Sequence, residues 1–79
     1  METIYAEQLR KLGLNISYYR KLKGITQLQL AEKAGISRTH MSNIEAPNVP
    51  TSISIETLFA IADALDVPIH SLLKFPDQE

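Results

Sequence analysis

Arg38, Thr39, Ser42 and Asn43 lie within six residues of one another, Arg38 four before Ser42 and Thr39 four before Asn43. On a helix that spacing gathers all four into one polar patch. The chemistry available to such a patch is the reading of flat, hydrogen-bonding edges. An arginine can donate two bonds to a guanine, an asparagine can pair with adenine, and a threonine methyl can meet a thymine methyl. Ser42 suits either a base edge or a phosphate. Met41 and Ile44 fall on the opposite side and read as core. The plain alternative for the four is a solvated helix face.

Catalytic chemistry is much less legible. His40 and His70 lie thirty residues apart, with no partner at i+4 and no carboxylate at ligand spacing, so no metal site is expected. The chain has no cysteine, which excludes a disulfide framework and the common zinc motifs and fits a reducing compartment. No Gly-x-Ser-x-Gly is present, and Gly13, Gly24 and Gly35 are isolated rather than a phosphate-binding loop. The expectation is a non-enzyme without cofactor or metal.

The elements that would position the patch can be read from the spacing of apolar residues. Leu9, Leu12, Ile16, Tyr19 and Leu22 recur at steps of three and four, which predicts an amphipathic helix ending at Lys23-Gly24. Thr26-Gln27-Leu28-Gln29 has the form of a capping box at a new helix start, with Leu30, Ala31 and Ala34 facing inward and Gly35 as its stop. Ser37 is a natural N-cap for a third helix running to Glu45. Two short helices joined by a glycine-containing turn, over 26–45, form a helix-turn-helix pattern. Two prolines make 46–53 a loop. A fourth helix is expected from the Ser54 cap, burying Ile55, Leu58, Ile61, Ala62 and Leu65. A fifth is expected with Pro68 in its first position. The last residues, Pro76 to Glu79, read as a frayed acidic end.

The chain has 79 residues and a net charge of −1, which by itself argues against a polyanionic partner. The distribution reverses that. Arg10, Lys11, Arg20, Lys21, Lys23, Lys33 and Arg38 face the single acid Glu32 in the stretch from Arg10 to His40. From Met41 onward Lys74 stands alone against Glu45, Glu56, Asp63, Asp66, Asp77 and Glu79. The first half can face phosphate and the second cannot. At this length one compact domain spanning 1–79 is expected, its core worth roughly 3–5 kcal/mol without outside help, so a partner subunit would add useful stability. No basic n-region with an apolar run opens the chain and no stretch is long enough to span a bilayer. A cytoplasmic protein without membrane contact is expected.

Leu12-Gly13, Ile16, Arg20, Gly24-Ile25-Thr26-Gln27, Leu30-Ala31, Ala34-Gly35-Ile36-Ser37, Met41-Ser42 and Ile44-Glu45, continued by Ser54 to Leu58 and Ile61 to Val67, resemble the Cro and phage-repressor (XRE-type) family of helix-turn-helix regulators. In length the chain is similar to free-standing restriction-modification controllers and prophage regulators. The resemblance implies an all-α, five-helix, lambda-repressor-like domain that binds double-stranded DNA and regulates transcription, for instance as a repressor. It implies a structural ion pair between Arg20 and Glu45. It also implies that Gln27 and the exposed amides beside it grip a phosphate, that Arg38, Thr39, Asn43 and Ser42 lie at the bases, and that Asn48, Thr51 and Ser52 lie near the backbone. Lys23, with Lys21 and Lys33, would add diffuse attraction. The connection after Glu45 departs from the family: Ala46-Pro47 replace the usual glycine, and the loop is longer and has no basic residue.

Relatives dimerise through their C-terminal helices, here about 54–75, where Phe59, Ile69, Leu73 and Phe75 exceed what a small bundle needs. The alternative is that Phe59 and Phe75 merely cover the core. Leu14 and Tyr18 form another apolar pair, on the outer side of the first helix. A homodimer would set two third helices about 34 Å apart, reading a near-palindromic operator. The rival function is an antitoxin or antirepressor, a protein-interaction module whose main partner is another protein.

Overall fold

The structure is a computed structural model and describes residues 4–75; the expected acidic end at Pro76 to Glu79 lies outside them. Five helices follow in order: α1 (Ala6–Lys23), α2 (Gln27–Ala34), α3 (Arg38–Glu45), α4 (Ile55–Leu65) and α5 (Ile69–Leu72), with no strand among the described residues. The core is one cluster of Leu12, Ile16, Leu30, Ala31, Met41, Ile44, Leu58, Ile61, Ala62, Leu65 and Leu72, to which every helix contributes. No helix among the described residues is long and apolar enough to cross a membrane.

The local signals are realised in detail at α2. Thr26 Oγ1 accepts from the Gln29 backbone N–H at 3.0 Å, while Gln29 Oε1 accepts from the Thr26 N–H at 2.8 Å. Two otherwise orphaned donors are satisfied reciprocally. Gly35 closes α2 in the left-handed conformation at φ 74°, and its N–H returns to the Glu32 carbonyl. A residue with a Cβ would be strained there, and the turn into α3 depends on it. Ser37 then caps α3, its hydroxyl accepting from the His40 N–H at 3.0 Å. Ser37→Ala should cost about 1 kcal/mol of stability; a thermal melt that does not move would remove the cap from this account.

Three expectations need correction. Leu22 is 65 % exposed rather than part of the α1 core stripe. From Ile16, two successive steps of three each fall about 60° short of a full turn and carry Leu22 away from the core. Ile55 is 60 % exposed rather than buried, one turn above the equally open Phe59. Pro68 is the N-cap of α5, extended at ψ 147°, and Ile69 is the first helical residue. Proline's fixed φ suits either position.

At Gly13 the backbones of α1 and α3 come close together. A Cβ built on it would overlap the Ile44 carbonyl oxygen. Asn15, on the same helix, has Nδ2 donating to the Leu72 carbonyl at 2.8 Å and to the Lys74 carbonyl at 3.0 Å, which ties the end of α5 to α1.

Candidate nucleic-acid interface

Apolar packing sets the orientation of α3. Met41, Ile44 and Glu45 are buried, and the helix packs against α1 and α2. The opposite side then necessarily points outward. Arg38, Thr39, Ser42 and Asn43 are all exposed, and none of their side chains makes a hydrogen bond or ion pair within the described residues. A row of unsatisfied donors and acceptors on a rigid two-turn helix is available to an external ligand. His40 is half-buried beside them.

Beneath that surface lies a buried polar junction. Glu45 accepts from Arg20 through two parallel bonds, Nε to Oε2 at 2.8 Å and Nη2 to Oε1 at 3.0 Å. Arg20 Nη1 also donates to the Ile25 carbonyl at 2.9 Å, in the turn before α2. The two side chains are only 12 % and 4 % exposed. One guanidinium therefore holds the end of α1, the turn before α2 and the end of α3 in a fixed relation. Bidentate geometry makes this an orienting contact.

Gln27 joins the same junction, its Nε2 donating to Glu45 Oε1 at 3.0 Å. The amide is thus held at the first turn of α2 with its second N–H still available. The capping box engages the backbone N–H groups of Gln29 and Thr26 and leaves those of Gln27 and Leu28 without an acceptor among the described residues. A helix start with two such amides and a fixed side-chain donor suits an anion. The Gln27–Glu45 bond was not foreseen from sequence, where eighteen residues separate the two and neither spacing nor capping connects them.

The loop after α3 is less open than its composition suggests. Asn48 and Ser52 are exposed, but Thr51 is half-buried and its hydroxyl donates to the Asn43 carbonyl at 3.2 Å and the Val49 carbonyl at 3.0 Å. That single proton ties the loop to the end of α3, so an anion would have to displace an internal bond to use it. Lys23 Nζ lies 4.0 Å from Asp66 Oδ2, a contact between exposed groups worth little. Of the residues considered for a subunit contact, Phe59 and Leu73 are about half exposed, while Ile69 and Phe75 are half-buried and packed against the core.

The transcriptional regulator SinR of Bacillus licheniformis is 42 % identical over 67 residues, covering 85 % of this chain and 60 % of that protein. The control protein C.SmaI of Serratia marcescens is 32 % identical over 62 residues, covering 78 % of this chain and 71 % of its own length. A crystal structure of SinR, a master regulator of biofilm formation, in complex with DNA superposes with a TM-score of 0.73 at 43 % identity, over 80 % of this chain and 98 % of that one. The chain spans little more than half the length of the SinR regulators it matches. The helix-turn-helix family model matches residues 16–72, from the middle of α1 to the end of α5, and the chain belongs to this XRE-type helix-turn-helix family.

Proposed function

We propose that the chain is a sequence-specific DNA-binding regulator of transcription that acts as a homodimer on a near-palindromic operator. The observation that carries this reading is the outward face of α3: four polar side chains of base-reading type, exposed and without partners among the described residues, opposite the buried Met41 and Ile44. The family and the DNA complex of a 43 % identical relative support it. A binding surface of this kind needs no catalytic group.

In this reading α3 enters the major groove and α2 crosses the backbone. Arg38, Thr39 and Asn43 address bases and Ser42 a base or phosphate. The start of α2, with Gln27 and the open amides, grips a phosphate. Asn48 and Ser52 can approach the backbone without losing an internal bond. Thr51 acts mainly by holding the loop to α3. Lys23 contributes only diffuse attraction.

The test is binding to a duplex selected from a random pool and to single-base variants of it, at fixed salt. Arg38→Ala should weaken the selected site by about 1–3 kcal/mol and relax the preference at one base pair, whereas Gln27→Ala should weaken every sequence alike. If both changes lowered all affinities equally, the division between base and phosphate roles would be wrong. If the unmodified chain selected no sequence, the function itself would fall.

A further inference from the structure

α1, α2 and α4 end in the same way. Each is followed by a left-handed residue, and two successive backbone amides return to the last turn: Gly24 and Ile25 to the carbonyls of Lys21 and Arg20, Gly35 and Ile36 to those of Glu32 and Ala31, Asp66 and Val67 to those of Asp63 and Ala62. α3 cannot end like this. Ala46 follows it in an extended conformation, at ψ 125°, and its N–H reaches the Asn43 carbonyl at 3.3 Å, but the next residue is Pro47, which has no N–H to give. The second bond comes from farther along the chain. The Thr51 hydroxyl donates to the same Asn43 carbonyl at 3.2 Å, sharing its proton with the Val49 carbonyl at 3.0 Å. Within 47–52 Thr51 alone is half-buried, and the Val49 N–H returns to the Ala46 carbonyl at 3.4 Å, so the loop is folded back on the end of α3.

We propose that Thr51 is a positioning residue for base recognition: by holding the Asn43 carbonyl it fixes the last turn of α3, and with it the direction in which the Asn43 side chain leaves the helix. The inference rests on the reading of Asn43 as a base contact given above. An amide that meets adenine through two hydrogen bonds tolerates little displacement, because both must be aligned at once. A two-turn helix frays first at an end whose carbonyls lack partners. Arg38 sits at the other end of α3, where the Ser37 hydroxyl accepts from the His40 N–H. The two base-reading positions therefore depend on separate local ties, and Thr51 governs only that of Asn43.

Binding of the full chain to its selected duplex and to every single-base variant of it, at fixed salt, tests this. Thr51→Val keeps the shape and removes the hydroxyl, Thr51→Ser keeps the hydroxyl, and Asn43→Ala and Arg38→Ala mark the base pairs that those two residues read; thermal melts check folding. At the pair marked by Asn43→Ala, discrimination should fall about fivefold in Thr51→Val, the worth of one ordinary hydrogen bond, while the pair marked by Arg38→Ala keeps its preference. Thr51→Ser should read both pairs as the unmodified chain does, and adding Thr51→Val to Asn43→Ala should change the preference no further. Thr51→Ala gives the same test if valine does not fit the loop. An unchanged preference in Thr51→Val, a loss spread evenly over all pairs, or a serine variant that behaves like valine would overturn the proposal and leave the regulator standing. An unmodified chain that selects no sequence would overturn both.

Discussion

Glu45→Ala is expected to lower stability by about 3–5 kcal/mol, because it leaves the Arg20 guanidinium 12 % exposed with no counter-charge. A chain of this length has a total stability of roughly 4–12 kcal/mol, so denaturant unfolding should show a large fall or an unfolded chain. The size reflects a stranded charge and not the net worth of the pair. Replacing both members with apolar residues of similar volume, Arg20→Met with Glu45→Leu, should therefore recover most of the loss. The double variant separates scaffold from function. It keeps the helices packed but leaves the Gln27 amide without its acceptor, so DNA affinity should fall for all sequences alike while the base preference set by Arg38 remains. A double variant as unstable as Glu45→Ala alone would show that the pair is irreplaceable, and one with unchanged affinity would detach Gln27 from the phosphate.

Gly13→Ala is the second large effect, and helix propensity predicts the opposite sign. Exchanging glycine for alanine inside a helix ordinarily gains about 1 kcal/mol. Here the added methyl would run into the backbone carbonyl of Ile44, which cannot rotate away as a side chain would. The helices must separate at a cost near the upper end of the about 1–3 kcal/mol typical of overpacking, and less the propensity gain a net loss of about 2 kcal/mol is expected. The same displacement would move α3 on its scaffold, so affinity for the selected duplex should drop more than the stability loss explains. Equilibrium unfolding gives the sign directly: a raised midpoint would mean that the close approach is not a constraint.

Local signals make much of this protein legible in its sequence. The capping box at Thr26, the left-handed stop at Gly35 and the caps at Ser37 and Ser54 act over three or four residues, and all operate as their spacing indicates. The outward set on α3 was legible for a related reason: once Met41 and Ile44 are assigned to the core, helical geometry leaves Arg38, Thr39, Ser42 and Asn43 outside. Apolar stripes gave less reliable answers at their ends, where Leu22 and Ile55 fit a periodic pattern but lie on open faces.

Contacts between residues distant in sequence followed a different logic. The Asn15 anchor on residues 72–74, the use of Glu45 by both Arg20 and Gln27, the Thr51 bond to the end of α3 and the tight crossing at Gly13 join groups that no local periodicity relates. The sequence by itself determined the kinds of helices, where they start and stop, and which polar side chains are left to face outward, because short-range hydrogen bonds and the helical repeat fix those within a few residues. Only the tertiary structure decided how close the helices come and which buried polar groups share a partner, because those depend on side chains brought together by burial of the whole core.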